Sequence, residues 1–162
     1  MYAVAILLAT SATALGGEDQ PTESVLAQSI NIAADELGAK GACLNEKPLA
    51  VTTGGDPIGG LLGSVQAAPG YVGPYVWSAS QTRKALRNIR KAGLYGGARH
   101  RATDRRCEAT INVEPPRVSN RIFSVRIALH VNSAIIQRAY VFSTENGHVT
   151  VVARTPEEII VS

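Results

Sequence analysis

The sequence predicts an α+β fold, and three observations carry that prediction. Two segments in the N-terminal half place apolar residues at helical spacing. From Cys107 onward the apolar period falls to two, the spacing of half-buried strands. Between two of those strands stands Glu145-Asn146-Gly147, and Asn-Gly takes the positive φ angles that a two-residue hairpin turn demands. The expected architecture is an antiparallel meander of four or more strands in the C-terminal half, with the two helices packed on one of its faces.

Residues 1–14 stand apart from that domain. Val4 to Leu15 form a nearly unbroken run of apolar and small residues, and Ala12-Thr13-Ala14 offers the small-x-small pattern of a signal-peptide cleavage site. The run is about a dozen residues, short of the roughly 20 that a membrane-spanning helix needs. No Lys or Arg precedes it, which departs from the usual charged leader and leaves a buried N-terminal element of a cytosolic domain as the alternative. The signal-like reading implies a periplasmic or secreted protein in which residues 15–162 fold as a single α+β domain.

The first helix is expected from Thr22 to Leu37. Leu26, Ile30, Ala33 and Leu37 fall on one stripe, Pro21 suits a first turn, and Gly38 is placed as a left-handed stop. Residues 45–76 follow as a Gly/Pro-rich loop region, with seven glycines and three prolines between Gly54 and Pro74 and a short strand conceivable over 49–53. Gly55, Gly59 and Gly63 have the spacing of a helix-packing motif, but Asp56 and Pro57 oppose a membrane helix, and no Gly-Lys-Ser/Thr ending makes the stretch a phosphate loop. The second helix is expected from Ala79 or Ser80 to Ala92. Ser78 or Ser80 would cap it, Gly93 would end it, and Thr82, Leu86 and Ile89 would face inward.

Four strands are expected over 107–114, 121–131, 135–143 and 148–154. Pro115-Pro116 separates the first pair and Asn132-Ser133 turns between the second and third. The end of the chain is open between a helical turn begun at Thr155-Pro156-Glu157-Glu158 and a short strand through Ile159-Ile160-Val161. A curved sheet around a helix would be similar in shape to a cystatin-like or NTF2-like roll. No motif carries that likeness, so it implies no activity.

Composition narrows the function classes. Apolar residues make up 45% of the chain and charged ones 18%, a globular balance. Cys43 and Cys107 are the two cysteines, and in an oxidising compartment they are expected to pair; otherwise they are two buried thiols. The formal net charge is only +3, yet nine of the sixteen Lys and Arg residues lie between Arg83 and Arg106, with Asp104 the sole acid among them. These are Arg83, Lys84, Arg87, Arg90, Lys91, Arg99, Arg101, Arg105 and Arg106, the candidate site for an anion or a partner. Arginine dominates, and its planar fork suits two-point contact with carboxylate or phosphate. Tyr71, Tyr75, Trp77 and Tyr95 are close enough in sequence to add flat stacking surface.

A second candidate is a pocket on the wetter sheet face, lined by Arg126, His130 and Arg138 with Asn112 and Glu114 nearby. His130 and His148 would meet across the sheet in a suitable register. His100, His130 and His148 lack a metal-ligand spacing, and no nucleophile elbow or paired-carboxylate signature occurs. Neither metal, cofactor nor catalytic residue is therefore expected.

The leading expectation is an exported binding protein that docks an acidic protein or an anionic envelope polymer through the basic helix and loop. Export disfavours nucleic acid as the partner. The alternatives are a pocket-bearing roll that binds a small ligand or acts as an enzyme, and a structural subunit of an envelope or secretion assembly.

Overall fold

A computed structural model of the chain describes residues 21–39, 41–50, 75–96, 107–119 and 121–161. The leader-like segment 1–14, the glycine-rich stretch after residue 50 and the loop cations at 99–106 lie outside the described residues. Two helices are described, α1 (Glu23–Glu36) and α2 (Ala79–Ala92). Eight strands form one sheet: β1 (Cys43–Leu44), β2 (Tyr75–Val76), β3 (Ala109–Val113), β4 (Arg117–Ser119), β5 (Ile122–Val131), β6 (Ala134–Glu145), β7 (His148–Arg154) and β8 (Glu158–Val161). The α+β architecture is as expected, with the helices N-terminal to the long strands.

Both helices are closed by local chemistry. Thr22 caps α1 by accepting from the Val25 amide, so Pro21 stands before the cap and outside the first turn. Gly38, at φ 67°, lets the Ala39 amide turn back to the Ala34 carbonyl at 2.7 Å, the paired closure that a left-handed residue permits. Ser78, not Ser80, caps α2. Its hydroxyl accepts from the Gln81 amide while the Gln81 side chain accepts from the Ser78 amide, a reciprocal capping box. Gly93, also at φ 67°, ends that helix in the same way as Gly38 ends α1.

β5 and β6 are the spine of the sheet. They pair antiparallel over ten positions from Ile122↔Ser143 to Val131↔Ala134. Asn132 turns between them with φ 53°, and Asn146-Gly147, with φ 52° and 77°, turns between β6 and β7. β3 and β4 lie end to end along the far edge of β5. β7 and β8 lie end to end along the far edge of β6. β4 begins immediately after Pro115-Pro116, so the prolines divide two strands rather than a strand and a loop. β1 and β2 hold only two residues each, too few for any period to show.

One face of this sheet meets the helices. Phe123, Val125, Ile127 and Leu129 of β5, with Tyr140 and Phe142 of β6, pack against Leu26, Ile30 and Ala33 of α1 and Leu86 and Ile89 of α2. Phe123, Phe142 and Tyr140 form a stacked row, with ring centroids 5.3 and 5.5 Å apart. Cys43 and Cys107 are joined by a disulfide that spans 64 positions and ties β1 to the approach of β3. Among the described residues, no helix is long and apolar enough to cross a membrane.

Candidate functional site

The outward side of α2 is the most strongly charged element described. Its 14 residues include Arg83, Lys84, Arg87, Arg90 and Lys91 and no acid. The helix sorts them by its own period: Thr82, Ala85, Leu86 and Ile89 are buried, and all five cations are exposed. Arg90 and Lys91 stand in the last turn, where the negative end of the helix dipole favours them.

Among the described residues, one carboxylate answers this row. Glu46, between β1 and the glycine-rich stretch, pairs with Arg87 at 3.3 Å and also with Arg90. Arg83, Lys84 and Lys91 have no ion pair among the described residues. Asn88, on the flank of the row, donates to Glu23 at 2.6 Å and fastens α2 to the start of α1. Arg99, Arg101, Arg105 and Arg106 are outside the described residues. The stacking surface expected beside the cations is not formed by Trp77 or Tyr95. Both are 8% exposed and belong to the core. Tyr71 is outside the described residues.

Arg126 and Arg138 of the proposed sheet pocket both border a cavity of about 190 Å³, with Gln137, Thr155 and Glu158, and His130 is not among its lining residues. The strand register sets the side chains on two faces. Arg126 stands opposite Ala139 and His130 opposite Ile135, whereas Arg138 stands opposite Ile127. Residues directly opposite share a face, so Arg138 points to the helix side with Ile127, while Arg126 and His130 point to the other side. That second face is also drier than alternation suggested, because Asn112 and Glu114 are 5% and 4% exposed. Each has a partner: Asn45 donates to Asn112 at 2.7 Å, and Arg126 lies 3.8 Å from Glu114. His148 pairs with Glu145 at one end of β6, ten residues from Ile135, which faces His130. At about 3.3 Å per strand residue, the two histidines are too far apart to share a site.

Arg138 instead joins a cluster that the sequence did not reveal. It lies 3.5 Å from Glu36 at the end of α1 and 3.8 Å from Glu157, and Glu36 also holds Arg154 at 3.1 Å. Tyr140 is fully buried beside them. Burial, and then the Glu36 carboxylate, push its phenol up to about 12 against a smaller opposing effect of Arg138. Sequence distance hid the cluster, since Glu36 and Arg138 are 102 positions apart.

A cavity of about 370 Å³ lies between the C-terminal ends of the two helices, lined by Asn31, Asp35, Leu94 and Tyr95 among others. Asn31 spans it, donating to the Leu94 carbonyl at 3.0 Å and accepting from the Gly96 amide at 2.9 Å. The Tyr95 phenol is raised above its ordinary value by burial and then by Asp35. Among the described residues, no group of three or more His, Cys, Asp or Glu side chains is placed to hold a metal ion. Comparison with protein families, curated proteins and solved structures finds no match to the chain.

Proposed function

We propose that this chain is an exported binding protein that docks an acidic protein surface through the outward face of α2. The observation that carries the reading is the row of five exposed cations on a helix without an acid, three of them unpaired among the described residues. Glu46 indicates the chemistry of the ligand, because one carboxylate already takes the guanidinium groups of Arg87 and Arg90. A helix fastened at its N-terminus by a capping box and on its flank by Asn88 offers those cations with little ordering cost. The Cys43–Cys107 bond supports an oxidising compartment, periplasmic or extracellular. The alternative pocket reading has less support: Arg126 and Arg138 border one cavity of about 190 Å³ without His130, and both arginines are already paired, with Glu114 and with Glu36 and Glu157.

Titration calorimetry or fluorescence anisotropy against poly-glutamate, with lipopolysaccharide as the competing envelope polymer, tests this. Binding should weaken as salt rises, since exposed charges are screened within about 8–10 Å at physiological ionic strength. Replacing Arg83, Lys84 and Lys91 together by Ala should cut affinity for poly-glutamate at least tenfold and flatten the salt dependence. An unchanged affinity in that variant overturns the proposal. Tighter binding to lipopolysaccharide than to poly-glutamate would reassign the partner to the envelope polymer.

A further inference from the structure

Among the described residues, β8 gathers three exposed large hydrophobic side chains in a row. Glu158, Ile159, Ile160 and Val161 are all exposed, and the three apolar ones are 60%, 43% and 74% exposed. β8 is hydrogen-bonded on one side only among the described residues, to β6. Its other edge therefore presents a row of backbone donors and acceptors flanked by β-branched side chains on both faces. Natural edges are guarded by lysine or other charges, inward-pointing ones included, by proline, by a bulge or by being very short. β8 has no lysine, proline or bulge; its guards are its four-residue length and one charge, Glu158, whose carboxylate accepts from Gln137 on β6 at 2.7 Å, which leaves Ile159, Ile160 and Val161 as a continuous apolar run.

We propose that β8 pairs antiparallel with β8 of a second copy of this chain, joining two sheets across a two-fold axis. This rests on the sheet edge and not on the basic face of α2. The register already present selects the geometry. Ile159 stands opposite Ile136, which packs on the helix-side core, and Ile160 stands opposite Ile135 on the other face. A two-fold normal to the sheet keeps helix side with helix side, so the axis passes through either Ile159 or Ile160. Centring on Ile159 sets each Glu158 against the partner's Ile160 and each Glu157 against the partner's Val161. Centring on Ile160 sets Ile159 against the partner's Val161 twice over, beside Ile136 of both copies. It also leaves the two Glu158 residues four positions apart, about 13 Å and beyond the screening length. Apolar matching and charge both favour the Ile160 centre. α1 lies over β5, β6 and β7, so its packing leaves β8 free to meet the second copy. A two-fold contact of this kind closes on itself and gives a dimer rather than a fibre.

Sedimentation velocity of the oxidised full chain over a concentration series reads the result. A reversible monomer–dimer equilibrium is expected. Ile159→Lys and Val161→Lys should each weaken it at least tenfold while leaving the circular dichroism spectrum unchanged, because both side chains already face water. Both native cysteines are bonded to each other, so Ile160→Cys introduces the one free thiol, and mild oxidant should then cross-link two chains through that position. A chain that stays monomeric into the hundreds of micromolar overturns the proposal, as does a dimer indifferent to both lysine variants. Cross-linking that proceeds through Ile159→Cys and not Ile160→Cys overturns the register.

Discussion

Tyr140 shows how a single side chain can link packing to pH. Its ring completes the stacked row with Phe142 and Phe123, and its hydroxyl is enclosed beside Glu36 and Arg138. Burial penalises the phenolate, which is why the phenol is pushed from 10.0 to about 12 in the folded chain. The unfolded chain therefore releases this proton first as pH rises. The stabilising contribution is complete below pH 10 and is lost as pH climbs through about 12, with a magnitude on the order of 2 kcal/mol. Urea unfolding midpoints should accordingly fall over that interval, and Tyr140→Phe should flatten the fall while leaving the unfolding free energy near pH 8 within about 1 kcal/mol of the parent. A parent chain whose midpoint is level from pH 10 to 12 would show that the hydroxyl is already solvated. The position itself is legible in the sequence, since Tyr140 shares the alternation of Ile136 and Phe142. So is that of Arg138, two residues back in the same alternation; Glu36 is not, because it reaches Arg138 only once α1 has folded onto β6. Glu46 escapes a sequence reading in the same way, and it alone decides that two of the five helix cations are already engaged.

At the scale of elements, the ends of segments were written more plainly than their pairings. Gly38, Gly93, Asn132 and Asn146-Gly147 all take the left-handed backbone that their residue types permit, so four boundaries follow from local chemistry. The long strands likewise follow from period two. β1, β2 and β4 do not, because strands of two or three residues offer no period to read and owe their existence to neighbours already in place. β8 was open between helix and strand. The sheet decides it, because β6 extends to Ala134 and leaves an edge that Ile159 and Ile160 can cover. The capping box supplies the sharpest element-scale expectation. Ser78→Ala removes the side-chain acceptor for the Gln81 amide and should destabilise the fold by about 1 kcal/mol. Ser80→Ala leaves both capping hydrogen bonds intact and should cost less than about 0.5 kcal/mol. Equal losses in the two variants, read from thermal unfolding, would mean that the cap is not the source of α2 stability.

Across the whole molecule the Cys43–Cys107 bond connects what local signals do not. α1 and β1 precede the glycine-rich stretch, whereas β3 to β8 follow α2, and the parallel pairing of β1 with β3 covers two residues on each strand. Backbone pairing of that length cannot close a loop of 64 positions by itself, because two hydrogen-bonded steps contribute about 1 kcal/mol each. Three further contacts run beside it: the Asn45 amide donates to the Ile111 carbonyl, the Leu49 amide to the Val113 carbonyl, and the Asn45 side chain to Asn112. They extend the seam toward Glu46 and hence toward the cationic row of α2. The disulfide thus anchors the segment that carries Glu46, the one carboxylate facing that row among the described residues. In the chain-entropy account a bridge closing a loop of this size stabilises by about 4 kcal/mol, commonly less when measured. Cys43→Ala with Cys107→Ala should therefore lower unfolding stability by about 2–4 kcal/mol. It should also loosen Glu46 from Arg87 and Arg90, which raises the number of uncommitted cations. Affinity for poly-glutamate should then hold or rise in the folded fraction of that variant, even as its melting temperature falls. A variant that loses stability and affinity together would instead place residues 43–49 within the docking surface.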